Sequence, residues 1–248
     1  ARGAGAAGCV LANRLSEDPR TSVLLLERGG SDNDPLVRIP KGFYFLLGGG
    51  KHSYTYPTLP TGPRNQVEYW QRGKMLGGST SINGMQYQRG DPSMWDEIQA
   101  AGNPGWGWAH MVAVFRSMED HELGPSPTRG AGGPLHITVR REPNELNEAI
   151  LAAGEAAGLR RVEDINESED ERIGYMPNTI RNGLRLSASR AFLRPVRKRP
   201  NLTVIDHAQV GHILFSGTRA VGVRARHGGV TRDYTADKEV ILSAGAVE

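Results

Sequence analysis

The order of apolar and polar positions predicts alternating helices and strands in the first part of the chain. Residues 9–15 have the pattern of a helix, a polar turn follows, and residues 23–26 are an unbroken aliphatic run that ends at a charged residue. A short aliphatic run bounded by polar residues is typical of a buried strand. A helix that leads directly into such a strand favours an α/β fold.

The middle of the chain has helical patterns separated by loops. Asp91-Pro92 predicts a helix start, because an acidic N-cap followed by proline is favoured there. The next predicted helix has apolar residues at i, i+3, i+4 and i+7, which we expect to face the core: Met111, Val114, Phe115 and Met118. Residues 124–133 read as a linker, 135–139 as a strand, and 144–158 as an amphipathic helix that stops at a glycine.

Extended segments dominate the last third of the chain. Residues 175–180 predict an edge strand, and residues 188–199 predict a helix at least as far as Pro195. Further strands are predicted at 202–205, 212–215 and 220–225, with a hairpin return at Gly228-Gly229 and a buried strand over 239–246 that enters a small-residue turn.

Composition is that of an ordinary globular protein, with 38% hydrophobic and 23% charged residues. The net charge of +3 is too small to indicate a nucleic-acid or membrane partner, and no apolar run is long enough to cross a bilayer. Cys9, the single cysteine, excludes an internal disulfide and is expected to be a packed residue. The localisation stays open, with the cytoplasm favoured.

A basic segment lies between residues 181 and 199. Because the charges do not share one face, we expect a solvated helix surface here rather than a nucleic-acid site: Arg181, Arg185, Arg190, Arg194, Arg197, Lys198 and Arg199. The seven histidines are scattered without metal-ligand spacing, so no metal site is predicted.

The first helix is preceded by the pattern G-x-G-x-x-G, formed by Gly3, Gly5 and Gly8, and the strand after it ends at Glu27. In a dinucleotide-binding unit the glycines permit a tight turn, approach of the backbone to a pyrophosphate, and close helix–sheet packing, while the acid binds a ribose. We therefore predict dinucleotide binding over the alternative, a glycine-rich turn. The motif needs a strand before Gly3, and only two residues precede it, so we expect a piece of a longer chain.

A second glycine-rich stretch runs from Arg72 to Gly90. Gly77, Gly78 and Ser79 begin a run of small and hydroxyl residues, whose closely spaced N–H and O–H donors suit a phosphate or the polar edge of an aromatic ring. The alternative is a surface turn. Residues 54–63 are expected to be extended, and they form either a surface Ω-loop or a lid over a cofactor.

These two stretches together resemble the glucose–methanol–choline (GMC) family of FAD-dependent oxidoreductases, in particular its bacterial choline and alcohol dehydrogenase branch. The resemblance covers the whole chain. It implies flavin contacts, largely through main-chain groups, at Met75, Asn83, Gly84, Met85 and Gln86, and an adenine contact through the backbone at Val210. Arg72 is a further expected cofactor-binding residue. Members with covalently bound flavin have a histidine where this chain has Ile82, so noncovalent FAD is implied.

The resemblance also implies a domain organisation and an activity. An FAD/NAD(P)-binding Rossmann-like domain, with its three layers in the arrangement ββα, would comprise residues 1–90 and 200–248. Residues 91–199 would form connecting helices and part of an α+β substrate domain. The implied reaction is oxidation of an alcohol, choline-like, aliphatic or aromatic, with catalytic residues expected beyond Glu248 and an unidentified electron acceptor. A flavin-containing lyase and a non-catalytic FAD-binding piece remain alternatives.

Overall fold

The computed structural model describes residues 3–139 and 144–247. The α-helices are α1 (Ala6–Leu15), α2 (Pro35–Arg38), α3 (Pro92–Ala100), α4 (Trp108–Met118) and α5 (Glu145–Ala156). The strands are β1 (Val23–Leu26), β2 (Ser53–Pro57), β3 (Tyr69–Gly73), β4 (Glu119–His121), β5 (Leu135–Val139), β6 (Arg160–Arg161), β7 (Arg172–Ile173), β8 (Pro177–Asn178), β9 (Ile180–Arg181), β10 (Leu184–Arg185), β11 (Leu202–Ile205), β12 (Gln209–Ser216), β13 (Arg219–His227) and β14 (Val230–Thr235). Turns of 3₁₀ helix cover Pro40–Leu46, Gly78–Ser81 and Arg194–Val196, and a π-helical turn covers Ser189–Leu193.

The chain divides into two compact units. The first comprises Ala1–Gly84 and Leu184–Glu248, and the second comprises Met85–Gly183. The sequence placed these boundaries near residues 90 and 200 instead. Residues 184–199 lie with the first unit because they pack against the end of α1, where the Asn13 side chain donates to the Phe192 carbonyl at 2.7 Å.

The first unit is built from a parallel strand pair, an antiparallel sheet and a helix. β1 and β11 are parallel, with Leu26 opposite Ile205, and β12, β13 and β14 form a three-stranded antiparallel sheet. Leu26 packs in one buried cluster with Val210 and Val223 of that sheet, and α1 contacts β1. Since side chains of a strand alternate between faces, the fully buried Leu25 faces the opposite side from Leu26. This arrangement has the three layers that the sequence predicted.

The prediction of a buried strand over residues 239–246 is wrong as to burial. No residue from 239 to 247 is buried, and Leu242, which lies at an isolated β-bridge, is 55% exposed. The segment nevertheless approaches the start of the chain, where the Ser243 hydroxyl donates to the Gly3 carbonyl at 2.8 Å.

The basic segment of the first unit is not simply a solvated surface. Asp32 is buried, and the guanidinium groups of Arg190 and Arg194 lie 3.6 and 3.2 Å from its carboxylate oxygens. Arg185 is only 2% exposed. The prediction of a solvated helix surface is therefore wrong for Arg185 and Arg190, whereas Arg194 is exposed as predicted. The buried Asp32 carboxylate needs a cationic partner, which accounts for Arg190 and which the charge pattern alone does not reveal.

The second unit has β5 at the centre of its largest sheet, parallel to β4 and antiparallel to β8. Helix α5 begins where predicted, with the Asn144 side chain accepting from the Asn147 N–H at 2.8 Å. Helix α4 also forms, but none of its residues is buried, so the prediction that its apolar face is core is wrong. Its Phe115 packs edge-on against Trp95 of α3, and the described contacts leave Val114 47% exposed.

A buried polar cluster lies inside the second unit. Glu119 and Asp164 are fully buried, and Arg89 lies within 4 Å of both carboxylates. Tyr87 donates to Glu119 through its hydroxyl. Burial lowers the pKa of His121, which therefore stays largely neutral at pH 7 beside Asp164. This histidine is a packed imidazole, 4% exposed.

Candidate cofactor-binding site

The N-terminus of α1 is built to receive an anionic group. Gly5 is the N-cap residue, and no side chain caps the helix, so the first N–H groups lack an intrahelical partner. Gly3 has a φ of +91°, and a Cβ at Gly8 would lie 1.9 Å from the Gly3 carbonyl oxygen. Only glycines permit this tight entry, which directs N–H donors and the positive end of the helix dipole toward one point.

Glu27 contacts the glycine turn that precedes α1. Its carboxylate accepts from the Ala4 N–H and from the Gly29 N–H, each at 2.7 Å. The residue is 8% exposed, and burial raises the pKa of its carboxyl group. A carboxylate oxygen has more than one acceptor position, so Glu27 both fixes the glycine turn and can still accept from the hydroxyl groups of a ribose.

The second glycine-rich stretch packs directly on the first. The Gly77 N–H donates to the Ala4 carbonyl at 2.7 Å, and the Leu76 N–H donates to the Gly30 carbonyl at 2.9 Å. A Cβ at Gly78 would lie 2.8 Å from the Gly5 Cα. The two stretches, which are 70 residues apart in sequence, therefore form one surface whose closeness requires glycine.

The hydroxyl groups after Gly78 do not all point toward a ligand. Ser81 is fully buried and donates to the Leu76 carbonyl at 2.9 Å, while the Thr80 hydroxyl donates to the Gly77 carbonyl at 2.6 Å. The Ser79 hydroxyl accepts from the Gly73 N–H at 3.1 Å. The Thr80 and Ser81 hydroxyls thus donate within the turn, whereas Ser79 lines the cavity and its O–H can still donate to a ligand.

A cavity of about 430 Å³ lies in the first unit between these stretches. Half of the residues predicted to bind the cofactor line it: Gly3, Gly5, Glu27, Arg72, Gly78, Ser79 and Val210. Gly8 and Gly77 shape the turns behind it, and the Met75 side chain is buried in a cluster with Ile82. Asn83 and Gly84 are not among the lining residues, and Met85 and Gln86 belong to the second unit. Flavin contacts at these four positions and at Met75 stay predictions.

Sequence reasoning missed several lining residues. Strands β2 and β3 pair as an antiparallel hairpin with Tyr54 opposite Arg72, and this hairpin brings Tyr54 and Tyr56 to the cavity. Arg28 also lines the cavity, with its guanidinium 4.6 Å from the centre of the Tyr54 ring. The alternation of Tyr54 and Tyr56 around a threonine is the strand signal that could have revealed this wall.

The lining residues fit a dinucleotide. Amide donors at the start of α1 suit a pyrophosphate, Arg28 and Arg72 add positive charge, and Glu27 offers ribose acceptors. The described part of the chain has no group of His, Cys, Asp and Glu side chains that could hold a metal ion. Nor is any helix within 3–139 and 144–247 long and apolar enough to span a membrane.

Comparisons with known proteins identify the family of this chain. The sequence matches the family model for GMC oxidoreductase over residues 1–248. It is 40% identical to mitochondrial choline dehydrogenase of Mus musculus, over 99% of this chain and 42% of that protein. It is 41% identical to oxygen-dependent choline dehydrogenase of Escherichia coli K12, over 99% of this chain and 46% of that protein. The crystal structure of pyridoxine 4-oxidase from Mesorbium loti matches with a TM-score of 0.92 at 36% identity, over 99% of this chain and 48% of that one. The chain therefore spans less than half the length of the curated relatives it matches.

Proposed function

Because this chain belongs to the GMC oxidoreductase family, we propose that it supplies the FAD cradle of an enzyme that oxidises a primary or secondary alcohol to an aldehyde or ketone. FAD is the cofactor of the family, and the chain has its α/β, Rossmann-like FAD-binding fold. The observation that carries the proposal is the cavity where the N-terminus of α1, Glu27 and Gly78 meet. The two choline dehydrogenases, each about 40% identical, favour choline or a similar amino alcohol as the substrate.

The residues of this chain bind and orient the cofactor. The bound flavin supplies an acceptor for the hydride of the carbinol carbon, at its N5 atom. The amide groups at the start of α1 and the Arg72 guanidinium neutralise the pyrophosphate, and Glu27 fixes the ribose. No histidine is among the residues that line the cavity. We therefore do not assign to this cavity the group that accepts the proton of the substrate hydroxyl.

We also propose that the flavin is held without a covalent bond. Ile82 occupies the position at which the family's covalent members have a histidine, and its side chain is 3% exposed in an apolar cluster with Val37 and Met75. Acid precipitation of the purified holoprotein should release all the yellow colour into the supernatant. Colour that remains in the pellet would show that another residue forms a link.

The activity is tested by anaerobic reduction of the bound flavin, in the protein expressed from its full natural reading frame. Choline and short aliphatic and aromatic alcohols are added separately, and loss of the oxidised flavin absorbance is followed. We expect at least one alcohol to bleach the flavin completely, with one aldehyde or ketone formed per flavin. A flavin that no alcohol reduces would favour the lyase or the non-catalytic alternative.

A further inference from the structure

Arg185 lies at the end of β10 in the first unit and is 2% exposed. Its Nε donates to the Val37 carbonyl at 2.9 Å, and its Nη1 donates to the Thr80 carbonyl at 3.2 Å and to the Asn83 Oδ1 at 2.8 Å. One guanidinium therefore ties α2 to both ends of the segment 80–83. That segment directly follows Gly78 and Ser79, which line the cavity.

The charge of Arg185 is not compensated by a carboxylate. Other buried guanidinium groups lie close to acids, as Arg190 does to Asp32 and Arg89 does to Glu119. Among the described residues, Arg185 forms no ion pair, and its Nη2 has no hydrogen-bond partner. Burial lowers its pKa to about 10, so the group still carries its positive charge at pH 7.

A buried charge without a counter-charge is costly to a fold. The three acceptors of Arg185 are neutral oxygens, and any donor that fits could satisfy them without a full charge. The stability of the first unit therefore does not explain why an arginine stands here. A positive charge beside a loop that holds an electron-accepting anionic cofactor does have a use, because it favours negative charge in its surroundings.

We propose that Arg185 is a positioning residue of the flavin-binding loop, which holds segment 80–83 in its binding conformation and provides a positive charge that raises the reduction potential of the bound flavin. This inference rests on the proposed function, because it requires that FAD occupies the cavity. It concerns a residue that does not line the cavity and that the sequence pattern placed on a solvated surface.

The test compares three variants in the protein expressed from its full natural reading frame. Arg185→Gln removes the charge, and Arg185→Lys keeps the charge but cannot reach all three acceptors. Arg199→Gln is the matched control, because Arg199 also donates to a carbonyl, that of Asn13, at the far end of α1 from the cavity. For each protein we would measure the FAD dissociation constant of the apoprotein, the reduction potential of the flavin, and the thermal midpoint.

Arg185→Gln should bind FAD about tenfold or more weakly, the order expected when a charge-assisted hydrogen bond to a binding loop is lost, and its flavin should have a lower reduction potential. Arg185→Lys should keep a potential near that of the wild type while binding FAD more weakly. Arg199→Gln should change only the thermal midpoint. If Arg185→Gln does not fold, Arg185→Lys decides, and it should weaken FAD binding.

Arg185 variants with wild-type affinity and potential, and only a lowered thermal midpoint, would overturn this inference and leave the proposed function intact. If the glutamine variant does not fold, wild-type FAD affinity in Arg185→Lys would overturn it in the same way. A wild-type protein that binds no FAD would instead overturn the proposed function itself. The two failures are therefore distinguishable.

Discussion

At the scale of single residues, glycine is required at positions 5 and 8 for different reasons. A Cβ at Gly8 would lie 1.9 Å from the Gly3 carbonyl oxygen, so the protein's own backbone requires glycine there. A Cβ at Gly5 would meet nothing closer than the Ser243 carbonyl oxygen at 4.0 Å, and Gly5 lines the cavity. Its small size is therefore explained by a ligand that approaches the backbone.

Gly5→Val should accordingly remove FAD binding while leaving the apoprotein folded. The branched side chain would enter the space of the pyrophosphate, and an N-cap valine should cost about 1 kcal/mol or less in the free energy of unfolding. Gly8→Ala is the contrasting variant, which should lower that free energy by about 1–3 kcal/mol through overpacking. Flavin fluorescence titration and thermal unfolding measure the two effects. A Gly5→Val protein that binds FAD as tightly as the wild type would contradict this reading of the turn.

At the scale of elements, the β2–β3 hairpin is the part of the cavity wall that the sequence predicted least well. Its residues Tyr54, Tyr56 and Arg72 line the cavity, whereas residues 59–68 of the connection are all exposed. A hairpin held by a bound cofactor opens less often. If bound FAD protects the tip of this hairpin from proteolysis, residues 54–63 belong to a lid over the cofactor; if it does not, they belong to a surface Ω-loop.

Trypsin cleavage after Arg64, in this connection, should become slower by about tenfold or more at saturating FAD, because cleavage follows the population of the opened hairpin. Arg219 is the internal control, since it is exposed at the start of β13, next to the β12–β13 turn and at the other end of β12 from Val210. Mass spectrometry of the timed digest gives both rates. Equal cleavage at Arg64 with and without FAD would identify the connection as a surface loop independent of the cofactor.

The elements that local patterns predicted correctly have short-range causes. The helix before β1, the strand ending at Glu27 and the hairpin at Gly228-Gly229 each follow from spacing within about 25 residues. β2 and β3 are joined by an eleven-residue connection, and β3 coincides with the start of a glycine-rich stretch, so their pairing leaves no local pattern. Arg28 reaches the cavity beside Tyr54 only because of that pairing, and the burial of Arg185 depends on contacts up to 148 residues away.

At the scale of the whole molecule, the candidate cofactor cavity belongs to the first compact unit. The cavity is lined entirely by residues of the first unit, although these come from both ends of the sequence. The Gly77 N–H bound to the Ala4 carbonyl and the Ser243 hydroxyl bound to the Gly3 carbonyl close the cradle between distant segments. The nucleotide site therefore depends on the tertiary fold of the first unit rather than on the G-x-G-x-x-G turn alone.

The most direct test of this account is the cofactor content of the protein purified from its full natural reading frame. The account predicts an oxidised-flavin absorption band and, after acid release, one FAD per protein chain. It also predicts that added NAD does not displace the flavin, since the Gly77–Gly78 turn and the hairpin complete a flavin site. A colourless protein that takes up no FAD and binds NAD tightly would contradict it.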